Sequence, residues 1–158
     1  MAKIDLTTIG VKVGWASGAV DTKPTSFKQL LRVKKVGGIS LEQDKIDITA
    51  LEASVKEYAA GLADTGGTWP VTIGLSDDTV TAWDEILTAY ETGKASGKSI
   101  WWDVYFPGLS KSFYVVAEPG MIPMPDIDLS SAADILINCI INKYVGLDTA
   151  VDPTAPTA

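Results

Sequence analysis

The chain has 158 residues, a length that fits one domain and can bury a sizeable core. Its composition, 46% hydrophobic and 21% charged, excludes a disordered chain. A net charge of −7 with a single arginine, Arg32, argues against a nucleic-acid grip, and the absence of histidine excludes a Ser–His–Asp device or the usual zinc site.

Residues 1–9 read as a short arm. Gly10 to Ala16 reads as a first strand with Val11, Val13 and Trp15 on one face. Residues 17–26 carry Gly18, Asp21 and Pro24 and read as a loop. Phe27 to Val36 reads as a second strand. Phe27, Gln29, Leu31 and Val33 point one way; Lys28, Arg32 and Lys34 point the other, with Leu30 among them. That basic face is either a solvated outer face or a strip that meets acidic surface on another copy.

Gly37-Gly38 breaks the strand. Residues 39–52 have no clean period, so a long loop is expected over about 37–52. Ile39, Leu41, Ile46, Ile48 and Leu51 are scattered there among charges, and leaving them in water is costly. The loop is therefore expected to lie against a neighbouring subunit. Ala53 to Leu62 allows a helical turn or a strand, with strand favoured because 63–67 looks like a hairpin link. Trp69, Val71, Ile73 and Leu75 alternate as a strand, with Pro70 expected at its start or on an edge.

Ser76-Asp77-Asp78 offers helix caps, and Val80, Trp83, Leu87 and Tyr90 recur on one stripe with Ile86 beside it. The spacing predicts a helix over about 77–92, with Gly93 as its C-cap. Ile100, Trp102, Val104 and Phe106 then form the inward face of a strand, with Trp101, Asp103 and Tyr105 facing out. Pro107-Gly108 suits a type II turn. Ser112 to Glu118 returns as a strand, and Pro119, Pro123 and Pro125 keep the next stretch extended. Asp134 to Val145 is a strand or a helix; its β-branched content favours a strand, with Ile135, Ile137, Cys139, Ile141 and Val145 on one face. Cys139 reads as a small buried hydrophobe. Residues 1–147 form one domain, and 148–158 read as a flexible tail.

Chemical motifs fail on inspection. GKASGKS at 93–99 has three residues between its glycines where a phosphate loop needs four, and a helix precedes it where a strand should. Asp126, Asp128 and Ser130 mimic the start of a calcium loop, but Ser131 and Ile137 stand where Gly and Glu are needed. Asp77-Asp78 reads as helix capping and Asp84-Glu85 as a solvated helix face. No catalytic, cofactor or metal site is expected. There is no basic, apolar N-terminal segment and no run of 18 apolar residues, which predicts synthesis in a cytoplasm and no membrane anchor.

Trp83 to Phe113, WDEILTAYETGKASGKSIWWDVYFPGLSKSF, resembles the tail tube (major tail) proteins of long-tailed bacteriophages. Those have a similar short helix, then a strand closing on Phe-Pro-x-Gly; here Gly108 comes one residue sooner. An early Gly-Val-x-Val strand and Ile46-Asp-Ile-Thr49 extend the resemblance over about residues 10–146. It implies a β-sandwich or half-barrel with one flanking helix. It also implies hexameric rings stacked into a tube, a long loop reaching an adjacent ring, and DNA passing through the lumen without specific binding. The implied partners are other copies of the chain and the tape measure, tail terminator and distal tail proteins, in a virion tail. Ile39, Leu41, Ile46, Ile48 and Leu51, the basic residues Lys28, Arg32 and Lys34, and Trp101 and Tyr105 are the candidate contacts between subunits or rings. The alternative is a monomeric β-sandwich that binds carbohydrate or peptide through a Trp-rich surface.

Overall fold

The structure, a computed structural model, describes residues 9–130 and 132–155. These form a mainly antiparallel β fold with one flanking helix, as the sequence predicts. The strands are β1 (Lys12–Ala19), β2 (Lys28–Leu30), β3 (Val33–Val36), β4 (Glu42–Asp47), β5 (Tyr58–Asp64) and β6 (Thr68–Gly74), then β7 (Lys98–Tyr105), β8 (Lys111–Glu118) and β9 (Asp134–Thr149). Helix α1 (Asp77–Lys94) lies between β6 and β7.

Seven strands form one sheet in the order β2-β1-β7-β8-β9-β6-β3. The order fixes its shape. Laid flat at about 4.8 Å per strand, the outermost members would stand about 29 Å apart. Yet β2 and β3 are those outermost strands, and only Leu31 and Arg32 join them. Three peptide steps reach about 11 Å at most. The sheet must therefore curl until its two edges meet at one corner, which makes a half-barrel. Arg32 turns that corner with a φ of 58°, and its carbonyl accepts from Gly74 N.

Inside the curl, alternation selects one face of every strand. Val13 and Trp15, Leu30, Trp69 with Val71 and Ile73, Ile100 with Trp102, Val115 with Ala117, and Ile135 with Ile137 and Cys139 form the main core. Trp83 and Ile86 of α1 close it from one side. Trp102 is the hub: its ring stacks on Trp83 at 5.6 Å and meets Trp69 edge-on at 5.5 Å. The expected inner rows are found over Trp69–Ile73, Ile100–Val104 and Ile135–Ile141, with Cys139 buried as expected, but Leu75 lies past β6 and is exposed, and Val145 packs on the opposite face because β9 shifts register before it.

Ser76 caps α1 as expected. Its Oγ accepts from Thr79 N at 3.3 Å, and its own N donates to Thr79 Oγ1 at 2.9 Å. Ser76→Ala is expected to cost about 1 kcal/mol, read as a fall of roughly 2–4 °C in Tm. The helix differs from expectation at its end. Gly93 is not the cap; it is buried inside the last turn, where a Cβ would meet Lys98 Cβ at 3.0 Å. Gly97, at φ 73°, makes the left-handed turn into β7.

Several other expectations are corrected. Residues 27–36 are not one strand, because the corner at 31–32 resets the alternation: Leu30 is in the core and Leu31 is exposed. Residues 37–52 are not a loop throughout, since 42–47 form β4, paired with β5. Pro70 is in an inner strand. The side it turns toward β3 needs no N–H, because Gly37 O, which an N–H there would meet, takes the indole of Trp69 at 2.9 Å, and Pro70 O accepts from Gly37 N. Leu109 N bonds Phe106 O across Pro107-Gly108, but Gly108 does not have positive φ, so the turn is not type II.

The outer face of β7 and β8 is covered as well. Trp101, Tyr114, Val116 and Phe27 form a second small core, roofed by the segment after β1 and by residues past β9. Trp101 and Asp103, expected to face out, are therefore buried. The roof also corrects the expected tail. Residues 148 and 149 end β9, and Thr154 pairs with β2, giving its carbonyl to Gln29 N and its N–H to Phe27 O, both at 2.8 Å. The arm at 1–8 and residues 156–158 lie outside the described residues.

Candidate functional site

The β4–β5 ribbon stands apart from the seven-stranded sheet as a sheet of two strands. Every residue of β4 is exposed. Asp47, Thr49 and Glu57 shape its end: Thr49 N donates to Asp47 Oδ1 and Glu57 N to Thr49 Oγ1. Hydrogen bonding to Thr49 holds the Asp47 carboxyl below the usual carboxylate range. A lone two-stranded ribbon is marginal in water, because it has no face on which to bury side chains. Yet this one carries Leu41, Ile46, Ile48, Leu51, Val55, Tyr58 and Leu62, all more than half exposed. The register sets Ile46 and Ile48 on one face of the ribbon and Tyr58 on the other, so this projecting element shows apolar side chains on both faces, as a contact element does. Between 42 and 64 the ribbon has six acidic residues against two lysines.

At the root of the ribbon the half-barrel is open. A groove of about 590 Å³ is lined by Val11, Val36, Ile39, Phe106, Phe113 and Tyr144 among others, with Lys34 and Lys35 beside it. Ile39 is half-buried and packs on the main core, so it anchors the ribbon.

The other candidate contact residues are scattered. Lys28 reaches Glu85 of α1 at 2.6 Å and lies over the Trp15 ring. Lys34 bonds Asp134 at 2.6 Å on the far side of the Arg32 corner. These three cations do not form one strip, because the corner separates them. Trp101 is 3% exposed and its indole donates to Ala19 O at 2.8 Å, so it offers no surface. Tyr105 is half-buried with Lys12 near its ring. All five tryptophans are buried, so the Trp-rich surface expected for a binding module is not there.

Sequence reasoning missed Val55, Tyr58 and Leu62 as parts of the same exposed set. It also missed a second apolar stretch, Met121, Met124, Ile127 and Leu129, all more than four-fifths exposed. Its signal was available: apolar residues in a proline-rich segment that no periodic element could cover. Among the described residues no group of three or more His, Cys, Asp or Glu could hold a metal ion, and no helix is long and apolar enough to cross a membrane.

No protein-family model matches the chain, and no curated protein matches it. Among solved structures, one similar chain belongs to a structure described as the anti-feeding prophage (AFP) baseplate, determined by cryo-electron microscopy with six-fold symmetrisation. It covers 95% of this chain and 97% of its own length, at 11% identity and a TM-score of 0.46. A likeness at that level carries no argument about function.

Proposed function

We propose that the chain is a structural virion protein that assembles with copies of itself into stacked, hexameric rings of a phage tail tube. The β4–β5 ribbon carries this reading: it projects, it is acidic, and its apolar side chains lack cover among the described residues. The groove at the half-barrel mouth, apolar with Lys34 and Lys35 beside it, is the complementary surface for the ribbon of a neighbouring copy. A contact between two different surfaces repeats head to tail and builds rings or tubes. The remaining partners follow the sequence resemblance: tape measure, terminator and distal tail proteins, with DNA passing through the bore. No catalytic role is proposed.

Ile46→Asp with Ile48→Asp tests the reading. Both residues are exposed, so the melting temperature should stay close to that of the parent. Negative-stain microscopy should show rings or tubes for the parent protein and no stacks for the variant. Normal tubes from the variant would sink the assignment. So would a parent protein that stays monomeric at high concentration with the other tail components present.

The groove favours one second reading, a ligand-binding module, since its volume suits a small molecule or a peptide side chain. Trp69 lines it, so quenching of tryptophan fluorescence by glycans or peptides, without assembly, would support that reading.

A further inference from the structure

Asp103 lies in mid-β7, opposite Gly14 of β1 and Tyr114 of β8. It is completely buried, and neither carboxylate oxygen has a hydrogen-bond partner. The Ser112 hydroxyl on β8 is equally buried and unpartnered. It is near enough to favour the ionised carboxylate but makes no hydrogen bond to it, so Asp103 is unpaired. An unpaired buried carboxylate is costly and is rarely kept without a reason.

The C-terminal segment covers it. A Cβ built on Gly14, one strand over on the same face, would lie 2.9 Å from Pro153, which places Pro153 above that row. Few bonds hold the cover. Thr154 makes its two bonds to the β2 edge, Ala150 N reaches Ser110 O, and the Tyr114 hydroxyl donates to Thr149 O at 2.6 Å. The Lys12–Asp152 pair at 3.1 Å is solvent-exposed and worth little.

We propose that residues 150–155 form a proton-controlled latch over the β1–β7–β8 wall, closed while Asp103 is protonated and loosened when it ionises. Opening hydrates the carboxylate. It also uncovers the β2 edge and the apolar patch of Phe27, Trp101 and Tyr114, a surface that another strand can add to. The latch is a property of the single chain, so it stands or falls independently of ring assembly.

The charges around Asp103 set its sign. Burial pushes the carboxyl up to about 7, and Asp152 adds to this; Ser112 and Lys23 oppose it. Lys12 from β1, Lys23 from the segment after β1, Tyr114 from β8, and Asp148 and Asp152 from the chain end face this region. Tyr114 is itself pushed up to about 12, first by burial and then by Asp103, so it stays neutral through this range. A carboxyl whose closed-state pKa is raised stabilises the closed form at low pH, and that contribution is lost as pH rises toward about 7.

Hydrogen exchange on the whole chain, from pH 5 to 8, reads the latch directly at the Gln29 and Thr154 amides. After correction for intrinsic exchange, their protection should fall about tenfold per pH unit up to roughly 6.5 and level off above about 7. Asp103→Asn, which cannot ionise, should show no such slope. β6 amides should stay more protected than these two at each pH. A flat profile in the parent protein, an equal slope in Asp103→Asn, or equal protection in β6 would each overturn the latch. If the variant fails to fold, a carbon-13 titration of the Asp103 carboxyl in the parent protein decides: a midpoint near the ordinary carboxylate value overturns the proposal, and one near 7 supports it.

Discussion

Trp102→Ala is expected to lower the unfolding free energy by about 3–5 kcal/mol, the largest effect of any single truncation in the molecule. Three costs coincide at this residue. The side chain is completely buried, so its removal leaves a cavity walled by Ile, Val and aromatic neighbours that sit on sheet strands and cannot collapse freely. Two aromatic contacts vanish, one to Trp69 and one to Trp83, each worth about 0.5–1.5 kcal/mol beyond area. The Ala117 carbonyl loses the indole donor that it holds at 3.1 Å. Because Trp83 of α1 stacks on this ring, the helix should loosen with the core. The check is a denaturant melt followed by tryptophan fluorescence and by far-ultraviolet dichroism. An unfolding free energy within about 0.5 kcal/mol of the parent value, on the scale of an ordinary surface substitution, would refute the hub.

Gly120→Ala is expected to cost about 3 kcal/mol, although it adds one methyl group. A Cβ there would stand 2.3 Å from the Asn138 carbonyl and 3.2 Å from Ile137 Cγ2. The obstacle is backbone of β9, a strand paired on both sides with β6 and β8, so it cannot step back without breaking a ladder. The carbonyl of Gly120 also accepts from the Trp83 indole at 2.8 Å. Displacing it leaves a largely buried donor without its partner. Conformational freedom is not the issue, since Gly120 does not use positive φ. A melt of Gly120→Ala beside Gly38→Ala separates the two effects, because a Cβ at Gly38 meets nothing. Equal stability of the two variants would contradict the crowding argument.

The main core was legible because alternation is a strong signal wherever one face is wet. Ile135, Ile137 and Cys139 are buried while Leu136, Asn138 and Ile140, which alternate with them, are exposed, and the period of two shows this directly. The same logic fails on β7 and β8. Residues 99–103 and 114–117 are buried without interruption, because a second layer covers the outer face. Nothing in the alternation of β7 announces that roof, which is made of irregular chain from residues 20–27 and 150–155. Asp103 was assigned to water for this reason. The corner at Leu31–Arg32 was hidden too, since a change of strand without Gly or Pro leaves no mark in composition. At the candidate contact surface, the misplaced apolar residues Ile46, Ile48 and Leu51 were readable as unsatisfied. Their strand geometry was not, because a ribbon exposed on both faces has no buried row to set a period.

The corner at Arg32 has a mechanical consequence. A fully paired barrel has a girth fixed by its strand number and register, and it widens only by breaking a ladder. Here β2 and β3 meet through two residues of chain and no ladder between them. The wall is a split sleeve with a covalent clip at one end of the split. Such a sleeve changes its bore by flexing at the clip while every strand pair stays intact.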